Sequence, residues 1–210
     1  MVSSLPLPTT LNGVQVLFNG SPAPLYYADP NQINFQVPMG APQSGTADLQ
    51  VLEAATGRIL GDTTVSMNAS IPGLFTQSAT GSGTVAALNQ DNTVNGPTNP
   101  AVQGSVLQIF GTGQGYIPGA PPDGTATPGP LSTPNAPFVI IGTERVDGSA
   151  ILYSGLAPGL VGVWQVNVQI PLDVITLPTS PTQVIVDLNS IPSGGGGLGR
   201  PVYVYVKQRP

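Results

Sequence analysis

The sequence predicts an all-β fold of two tandem β-sandwich modules with almost no helix. A heptapeptide that alternates amides with apolar residues occurs twice, as Gln32–Pro38 and, 133 positions later, as Gln165–Pro171. Alternation with a period of two places the apolar side chains on one face of a strand and the amides on the other. Glycine and proline number 27 and 24 of the 210 residues, without a collagen period, which is typical of short strands joined by tight turns.

The repeat extends beyond the heptapeptide on both sides. Upstream, Ala23–Tyr26 matches Ala150–Tyr153. Downstream, Thr46–Leu52 matches Thr182–Leu188. Each heptapeptide ends in proline, which has no N–H for the next rung of a ladder and therefore ends the strand. The pattern indicates one β module that is present twice.

The first module is predicted over residues 1–75. Its strand Val14–Phe18 ends at Asn19-Gly20, a dipeptide typical of two-residue hairpin turns. Further strands are predicted over residues 25–27, 32–37, 47–52 and 63–67. Residues 76–103 are predicted to be a connecting hairpin or linker, and the apolar run Val85–Leu88 indicates that this segment packs on a module.

The second module is predicted over residues 104–210. It opens with the strand Val106–Phe110, and five more strands are predicted over residues 138–141, 151–153, 162–170, 183–188 and 202–206. Residues 117–137 form a loop rich in proline, glycine and threonine, and loops of this length are often functional. We expect this loop to project from the second module, where it could dock on a neighbour.

The two modules differ at their first strand. Leu5–Pro8 alternates with proline and cannot form a good ladder, so the first module lacks a counterpart of Val106–Phe110. The missing strand either lies upstream of Met1 in a longer precursor or comes from another chain by strand addition.

The composition excludes several classes of function. Only 7% of the residues are charged, against about 25% in typical domains, and 40% are hydrophobic, which is adequate for a core. With five cationic residues and a net charge of −5, the chain lacks the clustered lysine and arginine that nucleic acids require. Histidine and cysteine are absent, which removes the commonest general base, the commonest transition-metal ligand and every thiolate. We therefore expect no enzyme, no catalytic residue and no cofactor.

The sequence also bears on location. No run of about 18 apolar residues is long enough to span a bilayer. The segment Met1–Pro6 has neither the charged nor the apolar region of a signal peptide. The protein is therefore either a mature or excised segment or a cytosolic protein. A low-charge surface rich in threonine, asparagine and glycine favours the first, and we expect an extracellular or cell-surface location.

Several blocks resemble known families. Val106–Tyr116, with the sequence VLQIFGTGQGY, resembles the opening strand and glycine turn of IPT/TIG-type immunoglobulin-like (Ig-like) modules. Three blocks resemble more closely the C-terminal domain family named for Solibacter, found in secreted acidobacterial proteins: LPTTLNGVQVLFNGSPAPLYYADPNQINFQVP, AALNQDNTVNGPTNPAVQGS and YSGLAPGLVGVWQVNVQIP. The resemblance covers nearly the whole chain. It implies a secreted, repeated Ig-like β-sandwich and transfers no site residue. Family members have a strand rich in glycine and asparagine before LPTTL, and this chain begins after it.

Two loop motifs are candidates for chemistry. The run Gly111–Gly115 follows a strand, but Tyr116 stands where a dinucleotide loop needs its third glycine, and Pro118 excludes the helix that such a loop needs. The oxygens of Asn89, Asp91 and Asn92 could serve Ca²⁺, although the full spacing of a calcium loop is missing and an Asx turn is favoured.

The carboxylates and the lysine also have two interpretations. A glycosidase would need a spatial pair among the ten carboxylates, but most of these lie in turn contexts and are expected to be solvated. Lys207 could form an isopeptide bond, as in some bacterial surface Ig-like domains, or remain a solvated charge near the C-terminus.

The tyrosines are the candidate ligand residues. Tyr203 and Tyr205 share one face of a strand, opposite Val202, Val204 and Val206. They could stack on a sugar ring or pack across strands, and Tyr116 beside the loop is a third candidate. Trp164 alternates with Val166 and Val168 and is expected in the core. Tyr26 and Tyr153 are repeat equivalents, which favours a structural role.

The sequence therefore favours a non-catalytic extracellular structural or adhesion module. We expect self-assembly into a filament or surface layer, or attachment to a cell surface, by β-strand addition at an open edge. The expected partners are further copies of the chain or neighbouring domains of a longer precursor. The alternative is a carbohydrate-binding accessory module of a secreted enzyme, with a polysaccharide as its partner.

Overall fold

The computed structural model describes residues 4–175, 180–194 and 201–210, and this part of the chain is nearly all β. Residues 1–3, which are part of the segment Met1–Pro6 tested for a signal peptide, lie outside the described residues. The helical content of the described residues is the single 3₁₀ turn Gly148–Ala150. The predicted all-β fold is confirmed.

In chain order, the strands are β1 (Thr10–Leu11), β2 (Val14–Phe18), β3 (Ser21–Pro22), β4 (Leu25–Ala28), β5 (Ile33–Phe35), β6 (Gly45–Glu53), β7 (Ile59–Met67), β8 (Gly73–Leu74), β9 (Gly83–Thr84), β10 (Ala87–Leu88), β11 (Ala101–Val102), β12 (Val106–Thr112), β13 (Leu131–Ser132), β14 (Phe138–Ile141), β15 (Glu144–Val146), β16 (Ile151–Leu156), β17 (Trp164–Gln169), β18 (Thr182–Leu188), β19 (Ile191–Pro192), β20 (Val202–Val204) and β21 (Val206–Lys207).

The chain forms two compact units, and neither is one continuous segment. The first unit comprises the chain up to Ala69 together with Gly115–Leu131 and Leu156–Gly162, and the second comprises Ser70–Gln114, Ser132–Gly155 and the chain from Val163. These units do not follow the predicted boundaries at 75/76 and 103/104. Their assignment as two Ig-like modules stays a prediction.

Residues 76–103 supply strands to the second unit. In this segment β9 pairs with β20, β10 pairs with β12, and β11 pairs with β21. Short parts of the segment are therefore paired with strands of the second unit, in line with the expectation that it packs on a module, and its role as a connection stays a prediction.

Two small sheets build the first unit. One has the order β1-β2-β6-β7, with β3 also on β2, and the other consists of β4 and β5. Apolar side chains from both sheets share one core, because apolar area is stabilised when it leaves water. The core is formed by Val16, Ala23 and Leu25, surrounded by Leu11, Ile33, Phe35, Leu49 and Val51.

The second unit has a larger core between two sheets. Their orders are β10-β12-β17-β16-β13, with β8 on β12, and β15-β14-β18-β20-β9, with β19 on β18. Trp164 on β17 is fully buried in this core, and its indole Nε1 donates a hydrogen bond to Ser154 Oγ at 3.0 Å. The expectation that Trp164 is a core residue is confirmed.

The two units share part of their strand pairing. In the first unit β2 pairs with both β3 and β6, and β6 pairs with β7. In the second unit β14 pairs with both β15 and β18, and β18 pairs with β20. The pair β4 and β5 has its counterpart in the neighbours β16 and β17. The strand β12, which pairs with β17, has no counterpart among the described residues of the first unit.

The pairing register corrects the predicted extent of the repeat. Leu49 lies opposite Phe18, and Val184 lies opposite Ile141, the last residue before the equivalent hairpin turn. Leu49 therefore corresponds to Val184, whereas the sequence match aligned it with Ile185. The alignment was one residue out, and a slip of one residue exchanges the two faces of a strand. The upstream match is also not equivalent in burial, because Leu25 is fully buried and Leu152 is 54% exposed.

The glycines at the end of β12, Gly111 and Gly113, mark a close crossing of two chain segments. Gly113 has a φ of +81°, and a Cβ atom at this position would lie 1.7 Å from the carbonyl oxygen of Ile71. A Cβ atom on Gly111 would lie 2.5 Å from the carbonyl oxygen of Gly73. The backbone N–H of Ile71 donates to Gly113 O at 2.8 Å. These glycines are therefore needed for close backbone approach, and no helix follows them.

Substitution of Gly113 by alanine should destabilise the second unit severely. Gly81 serves as the matched control, because its φ of +73° is similar and a Cβ atom there would meet nothing within 4 Å. Gly81→Ala should cost about 1–2 kcal/mol for the left-handed backbone alone. Gly113→Ala should cost about 4 kcal/mol or more, since two backbone segments must also separate. Urea unfolding of both variants measures the difference, and equal midpoints would contradict the crossing.

Candidate functional site

The site begins at the turn between β4 and β5. The carboxylate of Asp29 accepts hydrogen bonds from the backbone N–H groups of Asn31 and Gln32, both at 2.7 Å, and from the hydroxyl of Tyr27. These bonds form an Asx-type turn that fixes where β5 starts. The hydrogen bond from Tyr27, followed by the bond from Asn31, holds the pKa of Asp29 below its ordinary value.

The outward face of β5 carries an exposed pair of amides. Gln32 Nε2 donates to Asn34 Oδ1 at 2.6 Å. The same bond recurs in the second unit, where Gln165 Nε2 donates to Asn167 Oδ1 at 2.8 Å. There Gln108 of β12 lies directly opposite Asn167 and extends the row of amides. The amide pair of β5 has no such third member among the described residues.

The inward face of β5 is only partly covered. Ile33 and Phe35 are half-buried, and Val37, just beyond the strand, is 45% exposed. The matching positions of the second heptapeptide are almost completely buried: Val166, Val168 and Ile170 are exposed by 1%, 0% and 1%. The same sequence pattern is therefore buried in β17, which has a neighbouring strand on each side, and partly open in β5, which has only β4 beside it among the described residues.

Backbone polarity shows which groups face the open side. Gln36 N donates to Pro24 O, and Gln32 O accepts from Asp29 N, both at 2.9 Å, so Gln32 and Gln36 direct their backbone groups toward the β4 side. In an antiparallel ladder alternate residues face opposite edges, so Phe35 directs its backbone groups away from β4. We expect the same of Val37, which lies two residues beyond Phe35 in the alternating segment.

In the second heptapeptide, the equivalent edge is bonded to a neighbouring chain segment. Ile170, the equivalent of Val37, donates its N–H to Ser105 O, and its carbonyl oxygen accepts from Gly104 N, both at 2.9 Å. Ser105 and Gly104 immediately precede β12. We name the edge formed by Ile33, Phe35 and Val37 the β5 edge.

A loop supports β5 from the polar side. Gln36 Oε1 accepts from Gly124 N at 2.7 Å, and Gln36 Nε2 donates to Asp123 at 3.2 Å. The hydroxyl of Tyr26 donates to Val161 O. Residues 115–131 belong to the first unit, so the expectation that the proline-rich loop projects from the second module is wrong for this part of it. The cause is the side-chain hydrogen bonding of Gln36, which ties the loop to β5.

A second open edge lies along β7, the last strand of its sheet. Ile59 and Leu60 are 52% and 46% exposed. Asp48 directs its backbone groups toward Asn19, because Asn19 N donates to Asp48 O and Asp48 N donates to Asn19 Oδ1, both at 2.8 Å. Thr64 lies opposite Asp48, so its backbone groups also face away from the β6–β7 interface. The outer edge of β7 therefore presents backbone donors and acceptors to solvent.

The three predicted ligand tyrosines are distributed over the two units. Tyr203 and Tyr205 are half-buried, and Val204 and Val206, which alternate with them, lie in the core of the second unit. Tyr116 is 46% exposed and belongs to the first unit. The single strand predicted over residues 202–206 is divided at Tyr205 into β20 and β21, and Val202 is half-buried like the tyrosines. The role of the three tyrosines as ligand residues stays a prediction.

A side-chain clamp holds the backbone at Tyr205. The side chain of Asn95 is fully buried; its Oδ1 accepts from Tyr205 N, and its Nδ2 donates to Tyr205 O, both at 2.8 Å. One side-chain amide thus makes the two bonds that a neighbouring strand would make. This residue is not distinguished in the sequence from the other asparagines of its loop.

The candidate calcium ligands are engaged by internal donors. Asp91 Oδ1 accepts from the backbone N–H and the hydroxyl of Thr93 at 3.1 and 2.6 Å, which is an Asx turn. Asn89 Oδ1 accepts from Asn95 Nδ2 at 2.9 Å, and Asn92 Oδ1 accepts from Gln108 Nε2 at 2.9 Å. Among the described residues, no group of three or more carboxylate side chains could hold a metal ion. Lys207 is exposed.

A cleft of about 450 Å³ in the second unit is lined partly by Arg145 and Arg209. Arg145 Nε lies 3.0 Å from an oxygen of Asp147, and its guanidinium lies 3.8 Å from the centre of the Phe138 ring. The charge of Arg145 is thus compensated locally. None of the three candidate tyrosines lines this cleft.

Comparisons with known proteins found no match: no family model, no curated protein and no solved structure corresponds to the chain. The resemblance to the Solibacter-type family therefore stays a prediction. Across residues 4–175, 180–194 and 201–210, no helix has the length and apolar character needed to cross a membrane.

The Asp29 turn should make the stability of the first unit depend on pH. Because the folded state lowers the pKa of Asp29, the charged carboxylate stabilises the fold above the unfolded pKa, and this contribution is lost as pH falls through the folded pKa. Asp29→Asn keeps an acceptor oxygen and removes the charge. The difference in urea midpoint between the native chain and Asp29→Asn should be constant near neutral pH. It should shrink as the pH falls below about 4, the ordinary aspartate value.

Tyr27→Phe is the companion variant, because it removes the first cause of the shift and should reduce the pH-dependent difference. A difference that stays the same from neutral to acid pH would contradict this role of the Asp29 turn.

Proposed function

We propose that the chain is a non-catalytic extracellular structural or adhesion module that self-assembles, or attaches to a cell surface, by β-strand addition. The observation that carries this proposal is the outer edge of β7, a nine-residue strand that ends its sheet. Exposed strand edges present unpaired backbone groups, which are templates for pairing with another chain.

The surface chemistry supports association between copies. Only 7% of the residues are charged, so repulsion between identical copies is weak. Proteins that remain apart usually protect an edge with charged residues, especially lysine, or with proline. From Ile59 to Met67, β7 carries one charged residue, Asp62, and no proline.

Blocking the β7 edge should abolish self-assembly. Thr64→Pro removes a backbone N–H that faces away from β6, so the β6–β7 ladder is retained, as for proline on natural edge strands. Thr64→Ser is the matched control, because it keeps the N–H. Light scattering and negative-stain electron microscopy should show large particles for the native chain and for Thr64→Ser, and monomers for Thr64→Pro. A native chain that is monomeric at every concentration would overturn self-assembly.

Polysaccharide binding is a second candidate function. In this alternative the protein is a carbohydrate-binding accessory module of a secreted enzyme. It is favoured by Tyr203 and Tyr205, two half-buried side chains that alternate with the buried Val204 and Val206. Aromatic faces can stack on apolar sugar faces. In this case a soluble polysaccharide should retard the monomeric chain in an affinity gel, and Tyr203→Ala should remove the retardation.

A further inference from the structure

We propose that the β5 edge is an acceptor site for one β-strand, donated by another polypeptide, with the alternating apolar and amide chemistry of β12. The inference rests on the proposed function in that another chain supplies the strand. It goes further by naming the accepting residues and the pattern of the donor.

The internal repeat shows what fits this edge. The strands β5 and β17 lie in heptapeptides with the same alternating pattern, and both show a hydrogen bond from a glutamine to an asparagine side chain. Next to β17 lies β12, antiparallel, over six residue pairs from Val106↔Gln169 to Gly111↔Trp164. If β12 is transferred by the repeat, its central residues Leu107, Gln108 and Ile109 lie opposite Phe35, Asn34 and Ile33. An apolar–amide–apolar segment therefore matches the site.

Three properties distinguish the β5 edge from the equivalent edge of β17, which β12 covers. The backbone groups of Phe35 face away from β4, and continued alternation directs those of Val37 the same way. The apolar side chains of Ile33, Phe35 and Val37 are partly exposed, whereas their equivalents beside β12 are exposed by 1% or less. The amide pair lacks the third amide that Gln108 supplies in the second unit. One added strand would satisfy all three.

The edge is also held ready for a partner. The Asp29 turn fixes one end of β5, and the loop residues Asp123 and Gly124 bind the side chain of Gln36 at the other. The ring of Phe35 packs on Phe18, with 6.4 Å between centroids, which anchors the last residue of β5 against the core. A fixed acceptor loses little conformational entropy on binding, which favours addition of an extended peptide.

The test uses the full chain carrying Thr64→Pro, in which the β7 edge is blocked, so that self-association does not obscure binding. The probe is a fluorescent peptide that copies residues 106–112, Val-Leu-Gln-Ile-Phe-Gly-Thr, between Gly-Ser flanks. Fluorescence anisotropy should show saturable binding. A peptide of the same composition, shuffled so that the alternation is lost, should not bind.

Val37 provides a matched pair of variants. Val37→Pro removes a backbone N–H that faces the open edge, at an exposed side chain, and should weaken binding by about ten-fold through the loss of one hydrogen bond. Val37→Thr keeps both the N–H and the branched shape and should bind the peptide as the parent does. Equal binding by the two variants would overturn the proposed site.

Amide hydrogen exchange provides a measurement that does not depend on any variant at the site. On addition of the peptide, the amides of Phe35 and Val37 should become protected, while that of Gln36, already bonded to Pro24, should not change. No binding of the copied peptide, or no protection at Phe35 and Val37, would overturn the proposal.

This result is separable from the proposed function. Peptide binding together with a monomeric native chain would support the acceptor site and overturn self-assembly. Large particles of the native chain together with no peptide binding would support self-assembly and overturn the acceptor site.

Discussion

The structure depends on the pairing of backbone groups at the edges of its strands. A strand leaves one row of N–H and C=O groups on each side, and these groups must be bonded to a neighbouring strand, to a side chain or to water. The second unit meets this need with neighbouring strands and with the side chain of Asn95, which bonds both backbone groups of Tyr205. In the first unit, the edge of β5 that faces away from β4 and the outer edge of β7 have no neighbouring strand among the described residues. With so few charged side chains, neither edge is protected by electrostatic repulsion.

Local features of the fold could be predicted from the sequence. Asn19-Gly20 was expected to form a tight hairpin turn, and both residues have positive φ values, 49° and 75°. The strands Val14–Phe18 and Phe138–Ile141 have the predicted bounds. These features depend on the conformational preferences of a few consecutive residues and on a period of two, so they can be recognised without tertiary context.

Features that depend on distant pairing could not be predicted in the same way. The one-residue error in aligning Leu49 arose because two strands rich in valine and leucine match almost equally well in either register. The course of the two units is set by contacts such as Gln36 with Gly124, 88 residues apart, for which the sequence carries no local signal. The candidate residues could be predicted only in part. The alternation of Tyr203 and Tyr205 with valines can be recognised in the sequence. The exposure of Val37 cannot, because the equivalent Ile170 has the same sequence pattern and is buried.

The interleaved course of the chain has a consequence for its biosynthesis. Tyr26 donates to Val161, 135 residues later in the same unit. At a translation rate of about 5–20 residues per second, β4 emerges from the ribosome roughly 7–27 seconds before this acceptor exists. During that interval the nascent N-terminal strands cannot complete their unit and are exposed to aggregation. A chaperone that holds nascent chains would therefore act on this protein between the synthesis of β4 and that of the segment Leu156–Gly162.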